Sequence, residues 1–154
     1  MSRSSREVAE EVCKLIADGG IIADLFAADG VFAWPFRMPG QPAEVRGSDA
    51  IRAHLTAMLG PMRQLLAVES VEGTIRETDD PEVVMLQLVQ HGQSRAAKAP
   101  YQLSALAVIR VRDGEIVRYD DYVNPIGLAT LFGRQRELAA ALMRRPTPQW
   151  AMSS

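Results

Sequence analysis

Residues 108–132 read VIRVRDGEIVRYDDYVNPIGLATLF. Asp113-Gly114 in their midst is a two-residue hairpin signal, because a tight primed turn needs residues that tolerate positive φ. The flanking runs are rich in branched apolar residues and predict two antiparallel strands, about 101–112 and 115–123, closed by the Asn124-Pro125 break. Two adjacent carboxylates, Asp120 and Asp121, stand inside the second strand. Side chains alternate along a strand, so the two acids face opposite ways. Asp121 shares a face with Val117, Tyr119 and Val123. Asp120 shares the other with Ile116, Arg118 and Tyr122, and Arg118 is a ready partner for an ion pair. A turn at 113–114 sets Arg112 opposite Glu115 and Leu106 opposite Asp121, with Ser104 and Val108 as same-face neighbours. A carboxyl in such apolar company has a raised pKa, because burial penalises the charged form. It then exchanges protons near neutral pH. The competing reading is a structural carboxylate that caps backbone amides or binds an arginine.

Working back from that hairpin, two more strands are expected at about 66–77 and 82–91, joined by the turn Asp79-Asp80-Pro81. The N-terminal half reads differently. Val8, Val12, Leu15 and Ile16 recur at helical spacing until Gly19-Gly20 interrupts them. Ile21, Ile22, Leu25 and Phe26 continue a second short helix, which Ala28-Asp29-Gly30 should end. The aromatic run 31–38 reads as a strand, with Pro35 marking an edge or a bulge, and 39–42 as a loop. Ser48 is placed to cap a helix over about 49–59, with Asp49 in its first turn. Ile51, His54, Leu55 and Met58 share one face of that helix. From Ile126 a last amphipathic helix runs to just before Pro146. The order α-α-β-α-β-β-β-β-α predicts an α+β fold. A mostly antiparallel sheet curled around the helices leaves a concave pocket for a small ligand. Residues 1–145 are expected to form a single domain and 146–154 a flexible tail, whose Trp150 is the one residue suited to dock elsewhere.

The 154 residues carry a net charge of −2 and are 47% hydrophobic and 23% charged, as in ordinary globular domains. No basic block is present, so nucleic acid is not an expected partner. Cys13 is the single cysteine, which fits a reducing compartment. The polar N-terminus lacks a leader-like apolar stretch, and no run of about 18 apolar residues is present. A cytoplasmic protein with no membrane association is the expectation. The two histidines lack metal-ligand spacing, and there is no phosphate-binding glycine loop or nucleophile elbow. No metal and no cofactor are expected.

The stretches LFAADGVFAWPF (25–36), MPGQPAEVRGSDAIRAHL (38–55) and 108–132 resemble the SnoaL-like branch of the nuclear transport factor 2-like superfamily. The similarity spans about residues 7–135. It implies a cone-shaped α+β fold, used by ketosteroid isomerases, polyketide cyclases, epoxide hydrolases, dehydratases and non-catalytic binding modules alike. The fold therefore does not choose among them. The phenazine-biosynthesis A/B proteins are particularly similar. The shared features are Arg46-Gly47 and Asp49 ahead of a helix histidine, His91-Gly92 closing a middle strand, and the acid-aromatic-x-Asn-Pro ending. The resemblance implies His54 and Asp121 as a catalytic pair.

His54 lies on an apolar helix face, so it is either a packed core histidine or an acid-base group suited to pH 7. Gln87, within an apolar strand, can orient a carbonyl but cannot take a proton. Tyr101 and Tyr119 are candidate donors to an oxyanion, Trp34 a floor for a flat ligand, and Met58 a further pocket contact. His91 reads as a rim residue. These assignments imply a cofactor-free isomerase, cyclase or condensation enzyme acting on a small apolar or aromatic carbonyl metabolite of secondary metabolism. The alternative is a non-catalytic binding or accessory protein that uses the same pocket. A homodimer through the outer sheet face is also expected, with Ile116 and Tyr122 supplying apolar contact.

Overall fold

The computed structural model describes residues 2–144; the expectations for the 146–154 tail and Trp150 lie outside them. Helix α1 (Ser5–Ala17) is capped by the Ser4 hydroxyl, which accepts from the Glu7 amide. A 3-10 turn (Ile22–Leu25) leads into β1 (Phe26–Ala33). Then come β2 (Glu44–Arg46), α2 (Ser48–Leu65), β3 (Leu66–Glu77), β4 (Val83–Ser94), β5 (Ala99–Arg112) and β6 (Glu115–Val123). Helices α3 (Pro125–Leu131) and α4 (Gln135–Met143) follow. One six-stranded sheet has the order β2-β1-β6-β5-β4-β3, antiparallel throughout except where β1 runs parallel to β6.

The sheet has one buried face and one open face. Val84, Leu86 and Leu88 of β4 and Ala107, Ile109 and Val111 of β5 point inward and are buried. Val8, Ala9 and Val12 of α1 cover the β3-β4-β5 part of that face. Ile51 and Leu55 of α2 close the β1 side together with the stacked rings of Phe26, Phe32 and Tyr119. This apolar filling is what the α+β expectation requires.

Several local expectations are corrected. Ala28-Asp29-Gly30 does not stop a helix; it lies inside β1, where the β1-β6 register is irregular between Phe26 and Val31. A Cβ at Gly30 would stand 2.9 Å from the Ile116 carbonyl oxygen, so the missing side chain lets the strands close around the irregularity. The strand therefore starts earlier than expected and ends before Pro35. Gly47, at φ 92°, rather than Ser48, is the N-cap of α2. That helix continues through Gly60-Pro61 to Leu65. A proline clashes with the Cβ of the residue before it, and glycine has none. The last helix is split by Gly133, at φ 65°.

The β5-β6 hairpin begins in the expected register, with Arg112 opposite Glu115. A bulge at Val117 then shifts it by one residue, so that Asp121 faces Ala107 and Leu106 faces Tyr122. Ser104 and Val108 are consequently not neighbours of Asp121 on its face. The bulge also brings Ile116 and Tyr119, three residues apart, to the same buried side, at 0% and 3% exposure. Ile116 is thus core and cannot serve an outer-face dimer contact, whereas Tyr122 packs edge-on against the exposed Phe36.

Candidate functional site

Asp121 follows Tyr119 on the inward side of β6 and lies opposite buried Ala107, which in turn faces buried Leu86. Among the described residues no arginine or lysine ion-pairs with it, unlike Asp120, whose carboxylate takes the Arg118 guanidinium at 3.0 Å on the other face. Burial in this apolar row pushes the Asp121 carboxyl up to about 7. Tyr119 beside it is pushed well above the ordinary phenol value, first by burial and then by the Asp121 charge. Its hydroxyl therefore stays protonated and is a donor at any physiological pH.

Trp34 connects this carboxylate to the helix. Ala33 pairs with Asp120, so Trp34 comes next in register beside Asp121. Its amide donates to the Ala43 carbonyl, and its ring packs on Phe32 at 4.7 Å and on His54 at 4.8 Å. Trp34 is 3% exposed, while His54 and Met58 keep part of their surface open. Asp121, Tyr119, Trp34, His54 and Met58 therefore belong to one inward-facing region between β6, β1 and α2.

Tyr101 also faces inward, near the opposite end of β5, and accepts a 2.6 Å hydrogen bond from Gln90 Nε2. Gln87 does not join the site. It is exposed on the outer face, where its carbonyl accepts from Arg76 at 2.9 Å. His91 occupies the same outer side, 3.6 Å from Glu72. The inward glutamine is Gln90, which sequence reading passed over. Leu86, Leu88 and Gln90 share the inward row of β4, but the outward row with Val83, Met85 and Val89 is equally apolar, so the sequence carried no signal for it.

A surface groove of about 630 Å³ lies on the outer side, lined by Phe36, Arg76, Met85, Gln87, Leu106 and Tyr122 among others. Asp121 is not among the residues that line it. Among the described residues, no group of three or more His, Cys, Asp or Glu side chains could hold a metal ion. No described helix is long and apolar enough to cross a membrane.

The family model for the SnoaL-like domain matches residues 17–119. The chain belongs to the SnoaL-like family. This SnoaL-like chain is 27% identical over 125 residues to the uncharacterized PhzA/B-like protein PA3332 of Pseudomonas aeruginosa, covering 80% of this chain and 86% of that one. It is 29% identical over 110 residues to the uncharacterized protein YesE of Bacillus subtilis, covering 71% and 73%. Among solved structures it is similar to a Bacillus subtilis protein described as a "Putative Isomerase", at TM-score 0.73 and 25% identity over 85% of this chain and 94% of that one. A phenazine biosynthesis-related protein of Pseudomonas aeruginosa shares the fold at TM-score 0.56 and 19% identity, over 97% and 78%. The SnoaL-like match ends two residues before Asp121.

Proposed function

We propose that this chain is a cofactor-free acid-base enzyme of isomerase, cyclase or condensation type, acting on a small apolar carbonyl compound. The observation that carries the reading is Asp121: a carboxyl on the inward face, without a cationic partner among the described residues, pushed up to a pKa of about 7 by burial. Such a group takes a proton from the carbon beside a carbonyl and returns it elsewhere on the same skeleton. The negative charge that develops on the carbonyl oxygen needs a donor, and the protonated Tyr119 hydroxyl, on the same strand two residues before Asp121, is the candidate. Trp34 offers a flat apolar wall, and His54 behind it is a second proton carrier or an orienting group. The cyclase and isomerase names among proteins of similar fold agree with this class of chemistry.

The test is hydrogen exchange in heavy water. A panel of cyclic and polycyclic ketones is incubated with the protein, and deuterium uptake beside each carbonyl is followed by mass spectrometry. Protein-dependent uptake that falls at least about 100-fold in Asp121→Asn supports the proposal. Uptake unchanged in that variant overturns the assignment of Asp121. Tight ketone binding with no uptake assigns the region to a non-catalytic binding protein instead.

A further inference from the structure

We infer that Trp34 is a positioning residue of the acid-base site: it is the wall that keeps water off the Asp121 carboxyl and so sets the pH range in which that group moves a proton. This rests on the acid-base reading of Asp121 and deepens it by naming the side chain that tunes the base.

Three side chains flank Asp121 on the inward side. Ala107 stands across from it on β5, Tyr119 precedes it by two residues on β6, and Trp34 follows Ala33, the β1 partner of Asp120. Ala107 offers a single methyl group. The Tyr119 ring is engaged by β1, stacking on Phe32 at 4.8 Å and lying 6.2 Å from Phe26. The bulk beside the carboxyl therefore comes from the Trp34 indole. Asp121 keeps part of its surface open, whereas Ala107 and Trp34 are 1% and 3% exposed.

The ionisable groups that face this region are Tyr119 of β6, His54 of α2 and Cys13 of α1. Arg118, Asp120 and Glu44 pair with one another on the other side. Burial is what raises the Asp121 carboxyl to about 7. The side chain that supplies most of that burial then sets the value.

Trp34 is also held in place. Its amide donates to the Ala43 carbonyl at 3.0 Å, which extends the β1-β2 pairing past Ala33 and Glu44. Its ring packs on Phe32 at 4.7 Å and on His54 at 4.8 Å. Fixed by its backbone and by two rings, the indole stays beside the carboxyl. It carries no proton that it could exchange near neutral pH, since its N–H is a donor only. Its effect on proton transfer runs through Asp121.

The test titrates Asp121 directly, by carbon-13 NMR of the aspartate carboxyls, with the Asp121 resonance assigned by its loss in Asp121→Asn. The wild type should titrate at about 7. Trp34→Phe, which keeps a ring, should hold that midpoint within about half a unit, and Trp34→Gln should lower it by about one unit or more toward the ordinary 3.8. Trp34→Leu keeps an apolar side chain without the ring, and should move the midpoint the same way by less. It carries the test if the glutamine variant does not fold. Val12→Ala loosens the core under α1 without touching Asp121, and should leave the midpoint in place. The pH dependence of carbonyl-adjacent exchange should follow the same order of midpoints. A midpoint unmoved in Trp34→Leu and Trp34→Gln overturns the wall, and so does an equal fall in Val12→Ala, which would trace the effect to general loosening. A midpoint that follows Trp34 while exchange stays silent supports the wall and overturns the catalytic reading alone.

Discussion

Asp120 and Asp121 are neighbours in the chain and occupy opposite electrostatic worlds. Asp120 pairs with Arg118 on the outer side, while Asp121 turns into an apolar row against Ala107. The pKa of Asp121 is raised from 3.8 to about 7, so the folded state holds this proton more firmly than the unfolded chain does. Its contribution to stability is therefore full below about pH 4 and is lost as pH rises through about 7. Asp121→Asn removes that dependence. At pH 8 the variant should be more stable than the parent by roughly 2–4 kcal/mol, with the gap closing toward pH 4. Urea denaturation at several pH values measures it. A variant less stable than the parent at pH 8 would contradict the buried, unpaired carboxyl.

The same ionisation gives the activity a direction. A base works only when deprotonated, so carbonyl-adjacent exchange should rise with pH and level off above about 7. His54 can be separated from its packing role by His54→Phe, which keeps a ring against Trp34. This variant should stay within about 1.5 kcal/mol of the parent and lose about 100-fold in exchange rate if the imidazole carries a proton. Trp34→Ala instead empties a buried site and should cost about 3–5 kcal/mol in the same denaturation assay. An active His54→Phe would leave His54 as a packing residue.

What the sequence made legible follows from period. The Asp113-Gly114 turn, the strand alternation and the helical stripe of α2 are local signals, and they put Asp121, Tyr119 and His54 on inward faces. What stayed hidden depends on departures from period. The bulge at Val117 adds one residue to β6 and changes the partner of Asp121 from Leu106 to Ala107, yet nothing in the local composition announces it. Gln87 and Gln90 sit three apart in a strand that is apolar on both sides, so residue type could not say which one faces in. Only the register settled it: Gln90 meets Tyr101, and Gln87 meets Arg76.

Glu82 should show a pH dependence opposite in sign to that of Asp121. Hydrogen bonds from Arg112 and then Arg110 pull its carboxyl from 4.5 down to about 2. Its contribution is present above about pH 4.5 and is lost as pH falls toward 2. The group is exposed, so the effect is small and screened by salt. Glu82→Gln should lower the thermal midpoint slightly at pH 7 in low salt, and high salt should erase the difference. A difference that persists in high salt would mean that the pair holds the β4-β5 end of the sheet by geometry rather than by charge.

Gly73 tests how closely α1 seats on the sheet. A Cβ there would meet the Cys13 sulfur at 2.5 Å, with the Cys13 Cβ at 3.4 Å and a Leu86 methyl at 3.6 Å. The thiol is itself partly buried, and burial raises its pKa. Gly73→Ala should therefore cost about 1–3 kcal/mol through overpacking, despite alanine's better conformational entropy. Removing the sulfur clears the nearest clash and leaves only a 3.4 Å contact. Cys13→Ala should then recover most of the loss in the Gly73→Ala background, although by itself it removes a packed atom from the core. The coupling should reach about 1 kcal/mol or more in a double-mutant cycle. Additive losses would show that the helix moves aside to admit the methyl group, and that α1 is held by Val8 and Val12 rather than by the Cys13-Gly73 contact.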